Sequence, residues 1–574
     1  MHEELLVGRQ LELPAANDYF RPPAGARAAA QFSGLLHIAQ SPIATRPRLK
    51  SPRIEGRDAR LFPRITLGFV TSGDVLVPLQ RGQIVAEHRP GEHRSHWSII
   101  PQFGRVWRDP GEDGPWCRAA FPLMLVGDTE NHSHQGVATF RYKGREVGEL
   151  EFQFVQQTAP YLLQQHFLAC GRARMRFAPL APREAAAHRE SAQAELARRL
   201  PHRPWTDLLR ETSPGSLAGF GGPVREPWRV LAALVRNGTI YHQESSTPCG
   251  DYGYPPEMRF GVRSVMKSIG APLALLRLAQ VCGRYVLALR IGDFVEGLDP
   301  KYRAVRFIDA ANMATGFGGT GTWTTHPNDP FDGYLEGDYD AWYSAPSHRE
   351  KVKQIKRSLR PYPWEPGTVM RYRDQDFYLL GVAIDRFVKS LRGPGADVWD
   401  MLQREVFEPI GIAHAPVVRT REARGRRGVP WFNAGYYPTL DDLAKIALLY
   451  QNRGSYGGEQ ILHRDLTEDL LAARDALPKR GDLSLGGKGC AAAGAAEGEL
   501  YKMGFHFRPY VDSRGKQYYL PTMWGAGESE VILYPNGIVS IVIAKALELP
   551  AGEAARSDAG PETVRAVERL EPFD

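Results

Sequence analysis

The chain has 574 residues, 43% of them hydrophobic, with 72 Lys and Arg against 65 Asp and Glu and a formal charge of +7 at pH 7. That length exceeds one ordinary domain, and the apolar content suffices for more than one buried core, so two domains are expected. The small excess of positive charge is spread among many acidic residues, and the densest basic run, Arg419 to Arg427, has no nucleic-acid motif beside it and reads as a solvated loop, not a nucleic-acid site.

The first two hundred residues read mostly as β structure. Gly136 to Tyr142, a Lys143-Gly144 turn and Glu146 to Val155 largely alternate apolar and polar residues, the pattern of half-buried strands, and a sandwich or barrel is expected. Asp128, Glu130, His132 and His134 alternate in a way that puts metal-ligand types on one strand face. A polar hairpin loop explains the same pattern, as it does for His88, His93 and His96, and no metal is assigned. Pro182 to Leu200, rich in Ala, Arg and Glu, reads as a helix, and Pro201 to Pro227, with its glycine-rich part Gly215 to Gly222, reads as a linker. The expected division is 1–215 and 216–574.

Next come Val230 to Arg236, Asn237-Gly238 and Thr239 to His242, a β-hairpin signature with the dipeptide that best favours a two-residue turn. Ser264 and Lys267 follow in Gly261 to Ile269. Three apart on a helix, they share a face, and an amine beside a hydroxyl can activate it as a nucleophile. The tetrad alone arises by chance in many chains. The apolar run Ala271 to Val281 predicts a buried helix with Ser264 near its N-terminus, where the dipole and the backbone N–H groups suit an oxyanion. Pro272 is expected to remove the hydrogen bond to the Ser268 carbonyl and kink the helix.

The run Trp364-Glu365-Pro366-Gly367-Thr368 leads into Met370-Arg371-Tyr372-Arg373-Asp374 and Phe377-Tyr378-Leu379-Leu380-Gly381. It resembles the "EPGT, Tyr-x-Asn, YLLG" block of the serine β-lactamase-like hydrolases, which include class C β-lactamases, D-alanyl-D-alanine peptidases, esterases, D-aminopeptidases and aminohexanoate-oligomer hydrolases. Asp309 to Gly316, Val406 to Ile412, Ala434 to Lys445 and Gly454 to Leu462 resemble further family blocks in the same order, and together these cover roughly 228 to 548. The resemblance implies an α/β fold, an antiparallel sheet flanked by helices, with a mainly helical insertion over about 284–490 and a mostly β domain before it. It also implies catalytic roles: Ser264 forms an acyl-enzyme, Lys267 activates it, and Tyr372 receives and returns the proton. Free Tyr and Lys, near about 10 and 10.4, are poor bases at neutral pH. Desolvation is expected to lower Lys267 and a neighbouring cation to lower Tyr372; the sequence does not decide which is the base.

Two departures from the family stand out. Asp374 occupies the place of the usual Asn, so it accepts hydrogen bonds without donating them, and suits Lys267 or a cationic substrate amine as its partner. In Met523-Trp524-Gly525-Ala526-Gly527, Trp524 replaces the usual cation or imidazole, which disfavours substrates held by a carboxylate. A backbone N–H near Gly527 is expected to complete an oxyanion hole with that of Ser264. Specificity is assigned to the aromatic segment Phe331 to Tyr343, with Tyr343 a substrate-binding candidate beside Tyr334, Tyr339 and Trp342.

The expectation is therefore a serine hydrolase without metal or cofactor, acting on a small ester, amide or peptide-like substrate. The alternatives are a β-lactamase or D-alanyl-D-alanine peptidase or transferase of the same fold, and a catalytically silent binding protein, which Asp374, Trp524 and Pro272 favour. The five cysteines, Cys117, Cys170, Cys249, Cys282 and Cys490, are scattered and indicate neither a zinc site nor a disulfide framework. No run approaches the roughly 18 consecutive apolar residues of a membrane span. Met1-His2-Glu3-Glu4 does not open a secretory signal, so the cytoplasm is expected, or the periplasm or exterior if a leader has been removed.

Overall fold

The computed structural model describes residues 13–89, 91–127, 129–221, 228–318, 337–362, 364–478, 498–545 and 560–573. Asp128, Tyr334 and Cys490 lie outside the described residues. The chain forms two compact units, one made of Met1–Leu200, Gln243–Gly261 and Tyr437–Asp441, the other of Pro201–His242, Val262–Tyr436 and Asp442–Asp574. A single boundary after residue 215 does not describe this division, because two short segments far along the chain belong to the first unit and carry no compositional mark of it.

In the first unit the alternating sequence forms one antiparallel sheet. Its neighbours run Met175–Pro179, Ser33–Ile38, Ile65–Ser72, Val75–Pro78, Gly104–Trp107, Cys117–Gly127, Ser133–Lys143, Leu150–Gln157, Leu168–Ala173 and Ala44–Arg46. Leu168–Ala173 pairs with Leu150–Gln157, and Met175–Pro179, one residue further along the chain, pairs with Ser33–Ile38. The sheet thus closes on itself through that continuous run. Phe32, Phe69, Phe121, Phe140, Tyr142 and Phe152 fill its core, each contributing on the order of 1.5–3 kcal/mol by burial. The helix Pro182–Ala197 starts on a proline suited to a first turn and lays Ala185 and Ala192, seven apart on one face, against Val70 and Val77. The Glu130 carboxylate accepts the backbone N–H groups of Tyr161 (3.1 Å) and Leu162 (3.3 Å), so it serves a loop.

The second unit is organised by a nine-stranded sheet in the order His202–Pro204, Thr239–His242, Arg229–Arg236, Val539–Ala544, Ser529–Leu533, Gln517–Gly525, Phe505–Val511, Leu500–Lys502, Leu477–Pro478. The His202–Pro204 pairing is parallel and the others are antiparallel. Arg236 pairs with Thr239 across Asn237 and Gly238, whose φ angles of +50° and +71° are those of a type I′ turn. The expected linker is structured in its first part. His202–Pro204 joins the sheet, the helix Trp205–Glu211 follows, and Leu208 enters a core with Leu217 and Phe220. Turn-forming composition had masked these few apolar anchors; 222–227 lie outside the described residues.

Helices Phe307–Ala311, His348–Ser358, Asp374–Arg392 and Arg464–Leu471 lie in sequence between the helix Val265–Cys282 and the last strands. Val265–Cys282 is eighteen residues long and apolar enough to cross a membrane by length and composition, but most of it is buried inside the protein, as a core helix is. It also runs unbroken through Pro272. The Ser268 carbonyl that Pro272 cannot serve accepts the Tyr450 hydroxyl at 2.7 Å, so the missing helical bond has a substitute.

Candidate active site

Ser264 is the N-cap of Val265–Cys282, but its side chain caps no backbone group of that helix. It follows Arg263, a non-glycine residue at φ +51°, a conformation that costs on the order of 1 kcal/mol and turns the chain sharply into the helix. One turn on, Lys267 Nζ donates to Ser264 Oγ at 2.6 Å and to the Asn433 carbonyl at 2.8 Å, and it lies 2.5 Å from Asp374 Oδ1. Two of the ammonium's three N–H donors go to Ser264 Oγ and Asn433 O, and Asp374 Oδ1 is its ion-pair partner. Lys267 Nζ is also 5.0 Å from the Tyr372 ring centroid. All of these side chains are buried, Lys267 to 1% exposure and Asp374 to 3%.

Asp374 opens the helix Asp374–Arg392, where the helix dipole favours a carboxylate. Its second oxygen, Oδ2, accepts the Tyr339 hydroxyl at 2.7 Å. These contacts reverse the expected electrostatics. Burial pushes the Lys267 ammonium down, but the Asp374 carboxylate and Tyr372 outweigh it and hold Lys267 above its ordinary value. Burial pushes the Tyr372 phenol up, Asp374 adds to the rise, and Lys267 offsets only part of it. The expected lowering of both groups is therefore absent, and the physical cause is a carboxylate where the family pattern has a neutral amide.

The wall opposite is the strand Gln517–Gly525. A Cβ on Gly525 would fall 2.2 Å from the Val262 carbonyl oxygen and 3.2 Å from Ser264 N, so only glycine lets this backbone lie against Ser264. Gly525 pairs with Ser529, which places Ala526, Gly527 and Glu528 in the turn between the strands; Ala526 is exposed, and Gly527 and Glu528 have φ of +91° and +68°. Trp524 Nε1 donates to Glu528 Oε2 at 3.3 Å. Tyr343 is tied to the residue before Ser264, since its hydroxyl accepts Arg263 Nη1 at 3.1 Å, and its ring stacks 5.7 Å from that of Tyr339.

Several participants were not legible in the sequence. Asn433 acts through its backbone carbonyl, which no side-chain pattern reports; its only signal is that it directly precedes Ala434-Gly435-Tyr436. The Met503-Gly504 turn packs on the helix Val265–Cys282, with the Ser268 hydroxyl donating to the Gly504 carbonyl at 2.7 Å. His506, bonded to Glu499 at 2.8 Å, sets its ring 6.0 Å from that of Tyr372 and 5.6 Å from that of Trp524.

No protein-family model matches the chain, and no curated protein matches it. The solved structures similar to it are serine β-lactamase-fold proteins. A Bacillus anthracis protein provisionally named a 6-aminohexanoate-dimer hydrolase is 15% identical over 65% of this chain and 86% of that one, at a TM-score of 0.42. An octameric penicillin-binding protein homologue from Pyrococcus abyssi is 18% identical over 59% and 72%, at 0.38. A family VIII carboxylesterase is 13% identical over 62% and 97%, also at 0.38. At such TM-scores the functional reading rests on the side chains around Ser264.

Proposed function

We propose that the protein is a serine hydrolase that cleaves an ester or a small amide through an acyl-enzyme on Ser264. The observation that carries this reading is the 2.6 Å contact between Ser264 Oγ and Lys267 Nζ, in a buried site at a helix N-terminus. Ser264 Oγ attacks the substrate carbonyl carbon as its proton leaves through Lys267, and the oxyanion is received by the Ser264 N–H together with one from the turn near Gly527. Tyr372 returns a proton to the departing alkoxide or amine, and water then cleaves the acyl-enzyme and restores Ser264.

Trp524 offers no cation to a substrate carboxylate, which favours neutral acyl groups over penicillin-like acids. The β-lactamase and D-alanyl-D-alanine peptidase readings are weaker on that ground. Intact-mass spectrometry after incubation with a fluorophosphonate probe tests the proposal, with Ser264→Ala as the control. A single adduct on the wild type, lost in the variant, is the expected result; a folded wild type that takes up no probe would make the chain a catalytically silent binding protein.

A further inference from the structure

An acyl-enzyme on Ser264 requires a destination for the serine proton, and Lys267 is surrounded by acceptors. Asn433 O and Asp374 Oδ1 can only accept, so a lysine that keeps both contacts has one position left, and that position faces Ser264 Oγ. With Asp374 at 2.5 Å, the resting amine carries its third proton.

We propose that Asp374 is the terminal proton acceptor of a Ser264–Lys267–Asp374 relay, with Tyr339 as the positioning residue that aims the carboxylate; this rests on the acyl-enzyme reading above. One N–H proton of the Lys267 ammonium first crosses to Asp374 Oδ1, and the neutral amine turns about Cε–Nζ to set its lone pair on Ser264 Oγ. As Oγ bonds to the carbonyl carbon, its O–H bond breaks and the proton passes to Lys267 Nζ. Lysine holds three protons before and after, the carboxylate becomes a neutral acid, and the charge that leaves Asp374 appears on the oxyanion. When the tetrahedral intermediate collapses, the transfers reverse, and the proton reaches the leaving oxygen or nitrogen through the Tyr372 hydroxyl, which gives its own proton and takes the one Lys267 returns. Water repeats the sequence to release the acyl group.

The geometry suits both ends of the relay. One nitrogen touches donor and acceptor, so a turn of the amine about its Cε–Nζ bond is all that separates the two transfers. The Tyr339 hydroxyl on Oδ2 keeps Oδ1 turned to Lys267. Among the described residues, the other titratable groups facing Asp374 are the phenols of Tyr372 and Tyr501, both pushed up by burial and therefore neutral. With both of its oxygens engaged, Asp374 is not placed to anchor a cationic substrate amine.

The test is the pH dependence of the fluorophosphonate labelling rate for wild type, Asp374→Asn, Asp374→Glu and Tyr339→Phe, with thermal melting to confirm folding. The wild type is expected to label evenly through neutral pH and to slow in acid. D374N should lose on the order of 10²-fold at pH 7 and recover in alkaline solution, as Lys267 itself becomes the base. Its recovery should lie below the wild-type lysine titration, because the raising influence of Asp374 is gone. D374E should restore part of the rate, and Y339F should lose several-fold. A folded D374N that labels at pH 7 as fast as wild type, with the same profile, would overturn the relay. If D374N does not fold, D374E and Y339F with wild-type profiles would do the same. A wild type that does not label at all sinks the acyl-enzyme reading instead.

Discussion

Each unit of the protein buries ion pairs, and the two sets behave differently. In the first unit Arg81 forks Glu195 at 2.9 and 3.1 Å, Arg199 forks Glu257, and both guanidinium groups lie over Phe103. Arginine stays protonated, its planar fork spends its donors on both carboxylate oxygens, and no nucleophile shares the cluster. In the second unit Lys267 touches one oxygen of Asp374 and one hydroxyl at once. A lysine can give up a proton and take another. Burial of charge is therefore not what marks the site; the mark is a charge partner able to exchange protons, set against a hydroxyl at a helix N-terminus.

The sharpest break in this comparison is Ser264→Ala, which should lower ester hydrolysis by at least ~10³-fold while leaving the urea midpoint nearly unchanged. Glu257→Gln should do the reverse. Leaving Arg199 with only the more distant Glu195 carboxylate is expected to cost about 1–3 kcal/mol in urea unfolding, with the labelling rate per folded molecule unaltered. Arg199 holds the folded Glu257 carboxyl below its ordinary value despite burial. Its stability contribution is therefore present above the unfolded value of about 4.3 and lost as pH falls through the lower folded one, a dependence E257Q should remove.

Gly525→Ala should cut kcat/KM by ~10²-fold, since the new Cβ must push the strand away from Val262 and Ser264. Its melting temperature should fall far less than its activity. The smallest effect is expected of Tyr450→Phe, which leaves the Ser268 carbonyl without its substitute donor and should cost about 1–2 kcal/mol of stability. Any loss of labelling there would mean that the proline turn of the helix positions Ser264 as well as supporting it.

Features governed by a few neighbouring residues were readable in advance. Asn237-Gly238 specifies its turn because left-handed φ angles suit those residues, and Ser264 and Lys267 share a face because a helix repeats every 3.6 residues. The apolar run after Ser264 likewise marks a buried helix. Pro272 removes the helical bond to the Ser268 carbonyl, as its chemistry requires, but that a hydroxyl from Tyr450, far along the chain, answers the loss was not legible. The stretch after residue 200 misled because its composition is that of a linker, while its structure depends on the few apolar side chains it buries.

The sequence by itself determined the nucleophile motif, the hairpin and helix that bracket it, and the alternating strands of the first unit, all through short-range stereochemistry. Tertiary structure alone decided that the first sheet closes through 168–179 and that Gly525 lies against Ser264. It also decided that Lys267 is held as an ammonium. A pKa depends on burial and on charges a few ångströms away, and here those come from Asp374 and Tyr372, which only the folded chain brings to the lysine.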